Sequence, residues 1–335
     1  MTARPSGKAT IAVAVPIVIL LSAAFVAAPL ATNAEAVISA DSAASDTITS
    51  VQMQNVDFYV DPEIPLKIKR LRGTMRSRTG GPVTFDDKKS FVFFVDVAET
   101  GLTGPGLSIL LNKYVFNYRG SPITNLKVTV SGNQIIQKGT LHKVVALPFE
   151  IRAALSVTPD GRIKIHPVRT EIIGLHVDKL MSGLGLPLDK IINLSKAKGA
   201  TLKGNDIFLS PTEVIPPPEI RGKVTGVRVG NGLVIMTFGS PASMTMMTIP
   251  DSAVHNYMYY KGGTLQFGKL MMLDADMLIT ELDPSDPFRF DLDRYKPQLV
   301  AGYSRTLESG GLEVWMRDVD KLGKGKVELI STPNH

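Results

Sequence analysis

Cysteine is absent from the 335 residues, and the chain has one tryptophan and five histidines. Without cysteine there are no disulfides, no thiolate metal sites and no lipid-modified N-terminal cysteine. His142, His166, His176 and His255 show no His-x-x-x-His spacing, and Gly-x-Ser-x-Gly is missing, so the zinc-hydrolase and serine-esterase signatures both fail. Charge is present in ordinary amount, 20% of residues with a formal net of +6, and 44% of residues are hydrophobic. That composition is globular, and the length exceeds one typical domain, so two structural parts are expected.

What is there begins with a targeting pattern. Arg4 and Lys8 precede an apolar run from Ile11 to Ala31, and Ala34-Glu35-Ala36 offers small residues for cleavage, so residues 1–36 read as a signal peptide or an uncleaved signal anchor of an exported protein. Residues 37–50, rich in Ser, Ala, Thr and Asp, read as a flexible tether. A domain over 51–239, a linker over 240–263 and a strand-rich C-terminal part over 264–330 are expected to follow.

Two apolar helices set against alternating strands dominate 51–239. Leu147, Phe149, Ile151, Ala153, Leu155 and Val157 share one parity, with Glu150, Arg152 and Ser156 on the other. Pro159-Asp160-Gly161 turns the chain into a return strand in which Ile163 and Ile165 alternate with polar residues. Leu66 to Arg78 and Val83 to Val97 read as a further pair, and Gly230-Asn231-Gly232 as the turn of a last hairpin. Leu107, Leu110, Leu111, Tyr114, Val115 and Tyr118 fall on one stripe of a helix opening near Thr103-Gly104-Pro105. Leu180, Leu184, Leu188, Ile191 and Ile192 form a second stripe, broken by Gly183, Gly185 and Pro187. Such stripes suit helices that plug an ordinary core as well as helices that wall a groove.

Leu102 to Asn112 (Leu-Thr-Gly-Pro-Gly-Leu-Ser-Ile-Leu-Leu-Asn), the hairpins after it and Gly183 to Asp189 (Gly-Leu-Gly-Leu-Pro-Leu-Asp) together resemble the tubular lipid-binding superfamily. The nearer likeness is to bacterial exported proteins of the mycobacterial lipomannan-elongation-factor type. The resemblance covers about residues 66–238 and implies an α+β fold in which a strongly curved antiparallel sheet wraps apolar helices. It implies a nonenzymatic, cofactor-free envelope protein that binds phospholipid or another acyl-chain lipid. The candidate lining is Leu107, Leu110, Leu111, Tyr114, Val115, Phe149, Ile151, Leu180, Leu184, Leu188 and Ile191.

Lys67, Lys69, Arg70, Arg72, Arg76 and Arg78 crowd into one strand, where a bulge near Lys69-Arg70 would gather them into a basic ridge. The ridge is a candidate contact with an anionic membrane surface, against the alternative of a solvated strand face. Gly263 to Lys269 has phosphate-loop spacing, but Leu270 stands where Ser or Thr should bind magnesium. Three Asp-x-Asp pairs (Asp274/Asp276, Asp291/Asp293, Asp318/Asp320) read as turn and strand-edge residues and not as metal ligands. A structural adaptor using the same groove for a protein partner, and an envelope enzyme acting on lipid or glycan, are the alternatives.

Overall fold

The computed structural model describes residues 48–142, 145–172 and 187–323. The signal segment, the tether up to residue 47, and Leu180 and Leu184 lie outside the described residues, as does the side chain of Ile191. Among the described residues no helix is long and apolar enough to cross a membrane. The fold is α+β and strand-rich, with long antiparallel strands curled into a half-barrel.

In chain order the strands are β1 (Ile48–Asp61), β2 (Ile64–Ser77), β3 (Val83–Thr84), β4 (Phe91–Thr103), β5 (Ile123–Ser131), β6 (Gln134–His142), β7 (Ala146–Val157) and β8 (Ile163–Ile172). They continue with β9 (Ala200–Lys203), β10 (Asp206–Leu209), β11 (Glu219–Arg221), β12 (Val224–Gly230), β13 (Leu233–Phe238) and β14 (Tyr257–Lys261). The last six are β15 (Thr264–Phe267), β16 (Leu270–Leu273), β17 (Asp276–Glu281), β18 (Phe288–Asp291), β19 (Tyr303–Thr306) and β20 (Leu312–Met316). The α-helices are α1 (Gly104–Leu110), α2 (Leu188–Ile191), α3 (Pro211–Val214) and α4 (Tyr295–Val300).

The largest sheet runs β12-β13-β4-β2-β1-β14-β17-β20-β19, with β11 added in parallel to β4 and β18 in parallel to β1. Asn55, at φ 53°, marks the point where β1 changes partner, from β14 along Ser50–Gln54 to β18 along Val56–Tyr59. A second sheet is an antiparallel series, β5-β6-β7-β8-β10-β9, and a third is the small β16-β15-β3. One continuous hydrophobic core joins the inner faces of the two larger sheets.

The hairpin of β7 and β8 pairs as its parity demands, Val157 opposite Ile163, with Gly161 supplying the positive φ of the turn. Between Val83 and Val97 the chain departs from the expected single strand. Only Val83–Thr84 pair, with β15, and β4 begins at Phe91, because Asp87 accepts the Lys89 amide and folds the intervening residues into a turn. The stretch 240–263, expected as a linker, contains β14, whose Tyr257-Met258-Tyr259-Tyr260 is buried in the largest sheet. Within the strand-rich C-terminal part, Leu299 lies in a helix, α4. There the fully buried Gln298 accepts from the Asp291 amide and donates to the carbonyls of Arg289 and Arg317, fixing a helix against β18 and β20.

α1 starts as its sequence predicts. Thr103 accepts the Gly106 amide at 3.1 Å and Pro105 occupies the first turn. From Leu111 to Val115 the helix widens into a π turn. Two polar side chains one turn apart stitch it to the edge of β5. Ser108 Oγ accepts the Val128 amide at 2.8 Å, while Asn112 accepts the Leu126 amide and donates to the Leu126 carbonyl. Those bonds satisfy backbone groups that an edge strand would otherwise expose. Gly104 permits the approach, since a Cβ there would stand 2.6 Å from the Val128 carbonyl oxygen.

Candidate functional site

The interior holds three apolar chambers in series. The first, with a cavity volume of about 40 Å³, lies over the inner faces of β1, β2 and β4 and is lined by Met53, Phe58, Leu66, Ile68, Leu71, Met75, Phe91, Phe93 and Val95, among others. Phe85 and Tyr260 close one end within an aromatic group, their rings 5.5 Å apart and Phe85 5.1 Å from Phe267. The second, about 40 Å³, is walled by Leu107, Leu110 and Leu111 of α1, by Val128, Ile135, Ile163 and Ile165 of the second sheet, and by Val234 and Met236 of β13. The third, about 60 Å³, lies under that sheet between Phe116, Ile123, Leu141, Phe149, Ile151, Leu188 and Leu202.

The three spaces are neighbours, with side chains shared between adjoining walls. Ile215 and Met236 line both the first and second chambers. Leu111, Gln137, Ile165 and Leu209 line both the second and third. The described lining contains no charged side chain, and its polar groups belong to Thr100, Gln137, Thr170 and the Tyr260 hydroxyl. Thr100 Oγ1 is buried with no hydrogen-bond partner among the described residues. Such a wall offers dispersion and the hydrophobic effect and little directional bonding, which suits a flexible hydrocarbon chain.

The first and third chambers each adjoin a surface groove. Ile215 and Ile220 of the first chamber also border an open groove containing Arg78, Lys89, Lys198 and Arg221. Ile192, Leu194 and Leu202 of the third chamber border another, where Asp189 and Lys190 lie.

Of the residues expected to line a groove, Leu107, Leu110 and Leu111 face the second chamber, and Leu111, Phe149, Ile151 and Leu188 the third. Val115 is buried in the core outside the chamber walls. Tyr114 donates its hydroxyl to Asp61 at 2.5 Å, beside Lys113 Nζ at 2.6 Å on the same oxygen. Burial works against the Asp61 charge, but the bonds from Lys113, Tyr114 and the Glu63 amide outweigh it and hold the carboxyl below its usual range. This triad pins the end of the π turn to the end of β1.

The first chamber was missed from the sequence. Phe91, Phe93 and Val95 alternate along β4, and nothing in that alternation distinguishes a cavity wall from a packed core.

The basic residues of β2 gather as the bulge predicts. A register shift between Ile68 and Arg70 moves buried positions from Ile64, Leu66 and Ile68 to Leu71, Gly73 and Met75, leaving Lys67, Arg70, Arg72 and Arg76 together on the less buried side. Their charges are largely engaged. Lys67 pairs with Asp57 at 2.7 Å, Lys69 lies 3.6 Å from Glu99, Arg72 donates to the Thr245 carbonyl, Arg76 stacks 4.7 Å over the Phe94 ring, and Arg78 binds Glu219.

Among the described residues, one group of acids is close enough to share a cation: Glu281, Asp286 and Asp318, whose oxygens lie within 4.8 Å of one another. Arg289 and Lys321 already supply cations there, Arg289 at 2.6 Å from Asp286 and Lys321 at 3.0 Å from Asp318. Two of the Asp-x-Asp residues are bound by protein, Asp276 by Tyr259, Lys261 and Ser309, and Asp291 by Arg294. The phosphate-loop spacing falls on the β15–β16 hairpin. His142 bonds Thr124 and His166 bonds Asp206, on different strands of the second sheet.

Compared with protein-family models, curated proteins and solved structures, the chain matches none.

Proposed function

We propose that this is a cell-envelope lipid carrier that holds acyl chain in the three chambers without performing chemistry on it. One observation carries the reading: three neighbouring apolar spaces that share wall residues, with no charged lining among the described residues. A sixteen-carbon chain buried at about 0.8 kcal/mol per methylene gains roughly 12 kcal/mol gross, before the costs of ordering it. A wall without polar anchors therefore suffices to hold it. The likeness to tubular lipid-binding proteins belongs to this reading. It is supported by the curled antiparallel strands and by α1 set between β5 and the second chamber. Export to the envelope rests on Arg4, Lys8 and the apolar run that follows them.

Leu111 tests the proposal because it belongs to two chambers and is 6% exposed. Leu111→Asp puts an unpaired carboxylate where hydrocarbon would lie. The variant should take up a fluorescent long-chain fatty acid at least about tenfold more weakly while retaining a cooperative thermal transition. A folded variant with parental uptake contradicts the proposal.

A further inference from the structure

The open groove beside the first chamber differs in chemistry from everything inside. Arg78, Lys89, Lys198 and Arg221 border it, against the carboxylates of Glu213 and Glu219. The arginines share one acid: Arg78 donates to Glu219, and Arg221 Nε donates to the other oxygen of the same carboxylate at 2.7 Å. That carboxylate holds the two guanidinium groups in place while neutralising only one of them. Lys89 and Lys198 are exposed and, among the described residues, in no ion pair. The groove therefore carries surplus positive charge.

Its position gives that charge a use. Ile215 and Ile220 border both the basic groove and the first chamber, and Ile215 also borders the second. A molecule lying past these two side chains would have its hydrocarbon among Phe93, Met236 and their neighbours and its polar end among the cations. In the groove beside the third chamber, Asp189 and Lys190 oppose each other, and no such surplus exists among the described residues.

We infer that the basic groove is a headgroup site, and that the cargo is an amphiphile whose polar end bears a phosphate and a net negative charge. This rests on the lipid-carrier reading and specifies it. Phosphate suits the site because its several oxygens can accept from guanidinium and ammonium groups together, at charge-assisted strength. Glu219 orients Arg78 and Arg221, while Lys89 and Lys198 supply flexible charge. Arg78 thereby belongs to the headgroup groove and not to the outer ridge of β2.

The test loads full-length, delipidated protein from an equal mixture of phosphatidylglycerol, phosphatidylcholine and diacylglycerol with identical acyl chains. Bound species are extracted and counted by mass spectrometry. Phosphatidylglycerol should be enriched about tenfold over the other two, the effect of one to two cations near a headgroup. Lys89→Gln combined with Lys198→Gln should bring the enrichment towards parity with total lipid per chain unchanged. Equal loading of the three by the parent, or a preference untouched in the double variant, overturns the headgroup site while leaving the carrier reading intact. Failure to load any of the three, diacylglycerol included, overturns the carrier reading and this inference with it. Inorganic phosphate separates the sources: if it alone raises the melting temperature as far as phosphatidylglycerol does, the groove binds free phosphate and the headgroup assignment is wrong.

Discussion

Ile215 and Met236 each belong to the walls of two adjoining chambers, the one over the large sheet and the one beneath α1. A boundary made of two side chains can be narrowed by substitution while the sheets on either side keep their pairing. Met236 is 4% exposed, so Met236→Trp forces extra volume into this narrowing at a cost of about 1–3 kcal/mol in stability. Uptake of an eighteen-carbon fatty acid should fall severalfold, with an eight-carbon acid, short enough for one chamber, nearly unaffected. Titration of both probes against parent and variant checks the contrast. An equal effect on the two lengths would mean that the chambers act separately.

Tyr114 and Lys113 together hold Asp61 in its charged form. Tyr114→Phe removes one donor from a buried carboxylate and should cost about 1–2 kcal/mol near neutral pH. Because the folded-state pKa of Asp61 is depressed, its contribution is present above the unfolded value of about 3.8 and is lost as pH falls through the folded one. The stability gap between parent and variant should therefore shrink in acid, as thermal unfolding from pH 7 to pH 2.5 will show.

Glu281 has the opposite sign. Burial pushes its carboxyl up to about 8, the charges of Asp318 and Asp286 add to the shift, and the bond from Asn256 opposes it. The native state keeps a proton that the unfolded chain releases near 4.5. Stability from this group is thus full below about 4.5 and declines as pH rises through about 8. Glu281→Gln removes the titration, so the variant should gain several degrees in melting temperature relative to the parent between pH 5 and pH 8.5. Parallel melting curves across that range would show that Glu281 does not titrate there.

These relationships were unequally legible in the amino-acid sequence. The β7–β8 hairpin was readable because alternation and the Pro159-Asp160-Gly161 turn are both local signals. So were the start of α1 at Thr103 and the bulge of β2, where basic residues change parity around Lys69. Tyr114 fits the apolar stripe of α1 by spacing, yet its hydroxyl goes to Asp61, 53 residues away, which periodicity cannot register. The parallel pairing of β18 with β1 depends on a four-residue strand whose partner lies more than 200 residues earlier. The first chamber stayed hidden for a related reason. Its wall is assembled from β1, β2, β4, β11 and β13, and each strand alone reads as core.

The proposed occupant of the apolar interior is a hydrocarbon chain. Native mass spectrometry of the protein, purified without detergent exchange from the envelope in which it is made, tests this most directly. The account predicts a population heavier than the polypeptide by the mass of a lipid, which dissociates on activation and is absent from Leu111→Asp. A single species at the polypeptide mass, from a parent protein that also fails to take up added lipid, would contradict it.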